Sequence, residues 1–392
     1  MQQELISRND DLKRLRDEGY EVEIRGGYLL IHHVPYLNSD KIICFGTLVS
    51  TLTLRDSMTV TMPDNHVIHF IGENPCELDG NPISAIQFNN SDKQLGEITV
   101  NRSFSNKPPD GYPNYYEKVK RYADIISAPA KSLDSTVTEK TFKPVIGKDY
   151  ETVFNYIDTN SSRATIDNVN LKLQGQKIAI IGLGGTGAYI LDLVAKTPVL
   201  EIHLFDGDDF DQHNAFRTPG AASIQDLGNK MKKTDYLASI YSKMHRQVIP
   251  HGYFVDETNI DTLGEMSFVF LSIDKNSARK IIVNYLLNAG MPFIDVGLGV
   301  TEVDGKLGGL VRTTTVTKEK TSHVSTTIPM VDSEVDDAYS SNIQIADLNA
   351  LNACFAVIRW KQLCGFYTDF GNAYNTVFSI DTTIINHSHD EP

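Results

Sequence analysis

The spacing of apolar and polar positions changes character once along the chain. Residues 1–20 read as a short polar helix, and 21–105 read mostly as strands. "YEVEIRGGYLLIHHVPYL" alternates and breaks at Gly26–Gly27, as a hairpin does. "GTLVSTLTL", "MTVTM", "HVIHFIG" and "LGEITVNRSF" predict further strands, and "YYEKVKRYADIIS" predicts a helix. Residues 128–145, rich in Ser, Thr, Pro and Lys, read as a linker. Beyond 146 short apolar strands take over: "KIAIIG", "EIHLFD", "MSFVFLSID" and "MPFIDVGLG". Helical stretches alternate with them: "YETVFNYIDTN", "GAYILDLVAKT", "MKKTDYLASIYSKMH" and "ARKIIVNYLLNAG". Strand–helix alternation means a parallel sheet with crossover helices. The predicted class is α/β, with a doubly wound, mostly parallel, Rossmann-like sheet at 146–392. A smaller β-rich α+β domain at 1–127 precedes it, joined by the 128–145 linker.

A length of 392 residues suits two domains, and 41% apolar residues suffice for real cores. The formal net charge of -14 argues against a nucleic-acid partner, which would need a basic stripe. Cys44, Cys76, Cys354 and Cys364 form no CxxC, so neither a zinc knuckle nor a disulfide framework is expected. The charged amino terminus has no apolar signal region, and no apolar run approaches a membrane span. A soluble cytoplasmic protein with no membrane partner is the expectation. His32 and His33 alternate to opposite faces of a strand, so neither they nor the His66/His69 spacing predicts a metal.

"IAIIGLGGTGAYILDLV" carries the first chemistry. Gly182, Gly184, Gly185 and Gly187 form GxGGxG between a buried strand and an apolar helix. Such glycines permit a tight turn, close approach to phosphate and close helix packing. The helix start offers free N–H groups to an anion. Asp206 ends the next strand, where a carboxylate can hold ribose hydroxyls. "DGDDFDQHNAFRTPG" then adds Asp208, Asn214 and Arg217, and "SIDKNSAR" puts Asp274 at a strand end with Arg279 behind it. A triphosphate under attack needs such charges, and Asp274 is placed to hold Mg²⁺ or to cap the following helix. The glycine turn and Asp206 also fit an NAD(P)-dependent oxidoreductase, which stands as the alternative.

The run "GLGGTG…FDGDDFDQHNAFR…SIDKNSAR…PFIDVG" resembles the ThiF-MoeB-like adenylyltransferases. These are the adenylation domains of ubiquitin-activating enzymes and their bacterial relatives, the sulfur-carrier activators of thiamine and molybdopterin synthesis. The resemblance covers about 165–365. It implies ATP- and Mg²⁺-dependent adenylation of the C-terminal glycine of a ubiquitin-like protein by a homodimer. It also implies that Asp206 binds ribose, that Asn214 and Arg217 contact the phosphates, and that Asp274 holds Mg²⁺. A family lysine falls among Lys230, Lys232 and Lys233, with Lys232 preferred over Lys230. Arg163, in "NSSRAT", stands where the family has an arginine that reaches the partner subunit's ATP. Residues 1–125 resemble no nameable domain, but in placing an extra domain before the adenylation domain the chain is similar to activating enzymes of bacterial ubiquitin-like conjugation operons, several linked to phage defence. That implies docking of the carrier or of a conjugating enzyme.

The chain also departs from the family. Zinc-binding cysteine pairs are missing, and Lys275 replaces an asparagine beside the magnesium aspartate. The crossover region 312–342 has no cysteine to receive the activated tail. "SHVSTTIP" places Ser325 where relatives have that cysteine, with His323 as a possible base, which would give an oxyester. Cys354, Cys364 and Cys44 read as core, and Cys76 as the most exposed thiol. Direct hand-over of the adenylate to a partner and transfer to a distant cysteine are the other routes.

Overall fold

The computed structural model describes residues 2–145, 152–164, 166–331 and 343–388. Two compact units emerge: Met1–Thr152 with Tyr156–Leu171, and Val153–Asn155 with Lys172–Pro392.

The first unit opens with two helices, α1 (Gln2–Arg8) and α2 (Asp10–Asp17), where the sequence suggests one. Asn9 separates them, its side-chain amide donating to Leu5 O at 2.7 Å and Met58 O at 2.9 Å. Strands β1 (Glu21–Arg25), β2 (Tyr28–Leu37), β3 (Ile43–Thr51), β4 (Val67–Ile71), β5 (Gln87–Asn89) and β8 (Arg102–Ser105) form an antiparallel sheet in the order β1-β2-β3-β4-β8-β5. A separate hairpin joins β6 (Lys93–Leu95) to β7 (Ile98–Val100). Helix α3 (Tyr115–Leu133) packs on one sheet face, where Tyr115, Val119, Tyr122 and Ile126 meet Ile31, Leu48 and Phe70. The other face is covered in part by the hairpin, through Leu30, Val49, Leu95 and Ile98.

Three expectations need correction here. Helix α3 runs through Pro129 to Leu133, into the segment read as linker. The chain then returns, with Phe142 N donating to Gly19 O at 3.0 Å. Residues 152–158 are not helical; α4 (Thr159–Ala164) begins after Asp158, whose carboxylate accepts the Ser161 N–H at 3.0 Å. Cys76 is 1% exposed rather than the most exposed thiol, because its turn is pinned by bridges to Leu37 and Pro82. Cys44, Cys354 and Cys364 are half-buried.

The second unit is doubly wound. Strands β9 (Lys177–Ile181), β10 (Glu201–Phe205), β11 (Val248–His251), β12 (Phe268–Leu271) and β13 (Phe293–Val303) are parallel, in the order β11-β10-β9-β12-β13. Three antiparallel strands extend the sheet: β14 (Lys306–Val316), β15 (Asn375–Ser379) and β16 (Ile385–Ser388). Asp304 and Gly305 link β13 to β14 at φ 52° and 72°. Two positive φ values are what a two-residue hairpin turn requires. On one face, Ile178 and Ile180 pack with helix α6 (Gly185–Val194) and with Ala353, Val357 and Trp360 of the helix Ala346–Leu363. On the other, Ala179 and Ile181 pack with Ile282, Val283 and Leu286 of the helix Asn276–Ala289. Strand order reverses on the two sides of β9. Ligands of such sheets bind at that point, beyond the carboxyl ends of the strands.

Candidate functional site

The carboxyl end of β9 is built by glycines for different reasons. Gly182 has φ +86°, and a Cβ there would strike the Ser272 carbonyl that follows β12. A Cβ at Gly187 would strike the Gly182 carbonyl, so helix and strand could not approach. Gly184 caps α6, and a Cβ on it would meet open space. A Cβ at Gly185 would collide with the Asn349 amide and lie 2.9 Å from Arg217 O. The phosphate-type turn, Asn349 and the Arg217 backbone therefore converge.

Asp206 organises the next strand end. Its carboxylate accepts Leu183 N–H at 2.7 Å and Asp208 N–H at 2.9 Å, holding the glycine turn to the loop after β10. Among the three lysines, Lys233 reaches this pair. Its Nζ lies 3.6 Å from Asp206 and 2.6 Å from Asp208. Lys232 donates to Gly207 O at 2.7 Å and pairs with Asp209 at 2.8 Å, while Lys230 is exposed. Of the three candidate lysines, with Lys232 preferred from sequence, Lys233 is turned inward as the first residue of the helix Lys233–Tyr241.

Buried polar atoms without a partner in this unit include Asn214 Nδ2, Arg217 Nε, Asn349 Nδ2 and Thr234 Oγ1, and the Asn349 amide lies at the glycine turn. The first three can only donate. Buried donors left unsatisfied are costly, and such groups usually meet an acceptor. Asn214 is fixed by its own Oδ1, which accepts Asp211 N–H at 2.8 Å. Asn349 is fixed by Thr186 Oγ1 at 2.9 Å. The Asn349 amide and the helix start at the glycine turn suit a phosphate oxygen, and Arg217 brings its backbone to the same turn.

Asp274 follows β12 and is exposed. It does not cap the next helix, since Lys275 holds that position. Among the described residues no three His, Cys, Asp or Glu side chains gather as a metal site. Asp274 suits Mg²⁺, which commonly takes one or two carboxylates and completes its shell with phosphates and water. Behind it, buried Asp295 sits between two arginines: Arg279 Nε at 2.9 Å and Arg312 at 2.5 Å. Arg279 also donates to Ile273 O and Asn276, which fixes the backbone next to Asp274. Asp295, Arg312 and Asn349 were not singled out from sequence; only the fold brings them here.

Arg163 lies on α4, and its side chain is outside the described residues. Ser325 is exposed on the turn Val324–Thr327, but His323 is not hydrogen-bonded to it. His323 Nε2 is tied to Thr315 O at 2.9 Å, and Nδ1 is buried without a partner. Burial lowers the His323 pKa, against the bond to the Thr315 carbonyl, which raises it. Residues 332–342 of the crossover region lie outside the described residues.

A glycine turn at a topological switch point, with a carboxylate at the next strand end, defines a Rossmann-like nucleotide-binding protein. The ThiF family matches residues 131–381, and the chain belongs to it. Membership makes the protein an adenylyltransferase, which activates its substrate with ATP, and decides against the oxidoreductase alternative. A domain of unknown function, DUF6791, matches residues 10–159. No curated protein matches the chain. Among solved structures, E. coli MccB with ATP is 18% identical, covering 59% of this chain and 71% of that one, at a TM-score of 0.47. The microcin C7 biosynthetic enzyme MccB in complex with N-formylated MccA is 16% identical, covering 78% and 95%, at 0.46. PaaA is 16% identical, covering 57% and 75%, at 0.44. No helix among the described residues is long and apolar enough to cross a membrane.

Proposed function

We propose that the second unit adenylates the C-terminal glycine of a ubiquitin-like protein. A carboxylate oxygen of that glycine attacks the α-phosphorus of ATP, and pyrophosphate leaves. The glycine turn and the free donors of Asn214, Arg217 and Asn349 receive the phosphates. Asp206 and Asp208, held by Lys233, face the ribose, and Lys232 lies beside them. Asp274 would hold Mg²⁺, whose charge offsets that of the departing pyrophosphate. Catalysis of this type is mostly positioning and charge stabilisation. The enzyme works as a cytoplasmic homodimer in which Arg163 reaches the neighbouring active site. It passes the acyl group to a conjugating enzyme, directly or through a Ser325 oxyester, within an antiviral conjugation system.

The observation that carries this reading is the glycine turn with the unpartnered Asn349 amide against it, together with the unpartnered donors of Asn214 and Arg217. ATP–pyrophosphate exchange tests it, run with and without a ubiquitin-like protein ending in glycine. Exchange should depend on that protein and fall at least about 100-fold in Asp274→Ala. Equal exchange without a carrier, or an unaffected Asp274→Ala, overturns it.

A further inference from the structure

The first unit carries a second constellation that owes nothing to the nucleotide. Strand β2 pairs Ile31 with Leu48 and Val34 with Gly46, so His32 and His33 together oppose Thr47. This is a β-bulge, and His33 adopts φ 60° within it. The bulge cancels the alternation that would put the two histidines on opposite faces. His32 Nδ1 lies 3.2 Å from Thr47 Oγ1, while His33 stacks on Phe45 with ring centroids 4.2 Å apart. Phe45 and Thr47 share a strand face, so both histidines do too.

The other nitrogen of His32 is also committed. Nε2 lies 2.7 Å from Glu23 Oε2 on β1. Glu23 is itself clamped by Arg25, whose Nε and terminal nitrogen donate at 2.8 and 2.7 Å. Val22 and Ile24 face the main core, so Glu23 faces the opposite side, where the β6–β7 hairpin covers only part of the sheet. The side chain of Glu23 is 8% exposed and that of His32 26%. An ionised carboxylate on Nε2 keeps the proton there and leaves Nδ1 as a lone pair toward the threonine hydroxyl. Hydroxyl, imidazole and carboxylate in this order are recognised by geometry and roles rather than by fold.

We propose that Thr47 is an activated hydroxyl nucleophile that accepts acyl groups, with His32 as general base and Glu23 as the residue that positions His32. The substrate class is an activated acyl compound, an ester or a mixed anhydride. Thr47 Oγ attacks the carbonyl carbon and its proton passes to His32 Nδ1. The bond from acyl carbon to leaving oxygen breaks, and the leaving group takes the proton from His32. The product is a threonyl ester. An acyl-adenylate belongs to this substrate class, yet the inference does not rest on adenylation, because any activated ester suffices.

The test uses the full chain with p-nitrophenyl acetate and no ATP. The expected result is a burst of p-nitrophenolate and an acetyl group on Thr47, located by peptide mass spectrometry. Thr47→Val, which keeps the strand shape, should abolish the adduct, and Thr47→Ser should keep it. His32→Ala should slow acetylation about 100-fold. Added imidazole should restore it, a readout that a structural histidine would not give. Acetylation confined to lysines, or an adduct that forms at the original rate in His32→Ala, overturns the proposal.

Discussion

Lys118 in the first unit and the glycine turn in the second both bury nitrogen donors, with opposite outcomes. The Lys118 ammonium is fully buried, yet it donates to Ser50 Oγ at 2.9 Å and to Asn65 O at 3.1 Å. Asn214, Arg217 and Asn349 each bury an N–H that meets no acceptor. The first arrangement is closed; it holds strand to helix and asks for nothing more. The second leaves its donors unmatched, as donors kept for an anionic ligand would be. Burial alone therefore does not separate scaffold from site; an unmatched donor points to a site where it lies at the glycine turn, as Asn349 does.

The largest expected effect comes from opening a closed arrangement. Asp295→Asn leaves Arg279 and Arg312 without their buried counter-charge, which should cost about 3–5 kcal/mol in urea unfolding. Lys118 comes next. Burial pushes its pKa down to about 8, with Asp64 opposing. Between that value and the ordinary lysine value of about 10.4, the unfolded chain holds a proton that the folded chain does not. Stability should therefore rise with pH across this window, by about 3 kcal/mol in all. The difference between wild type and Lys118→Met, followed by denaturation from pH 7 to 10.5, isolates this contribution; a pH-independent difference would show that the ammonium is not desolvated. Arg217→Met sharpens the other side of the comparison. Ligand-free melting should hardly change, because no bond of Nε is lost, while ATP should bind about tenfold or more weakly in a thermal-shift titration. A large loss of ligand-free stability would make Arg217 scaffold.

The fold of the second unit was legible because its signals are local. Strands such as Lys177–Ile181 and Phe268–Leu271 are continuous apolar runs, and the glycines mark the turn between strand and helix. Asp206 and Asp274 could be read because one directly follows a strand and the other lies three residues beyond one. Asp295 could not be read so far, since its meaning depends on Arg279 from a helix and Arg312 from the next strand. Asn349 reaches Gly185 from a helix far along the chain, and no spacing rule announces that. In the first unit the His32–His33 pair misled because one extra residue in a strand undoes a period of two. Cys76 misled because Gly, Pro and Asp around a turn suggest solvent, whereas cross-chain bridges decide the burial.

The hairpin between β13 and β14 has a consequence for the order in which the second unit is made. Its strands pair residue by residue from Val303–Lys306 to Phe293–Val316 across one tight turn. Such a pairing closes a short loop and can form within about 1–10 μs. The central pairing of β9 with β12 joins Ile178 to Phe268 and must first bring distant segments together. The expected order runs from the antiparallel flank toward the parallel centre, with the nucleotide crevice completed late. Substitutions at Asp304 and Gly305 should slow folding, while those at Ile180 and Phe270 should mainly speed unfolding.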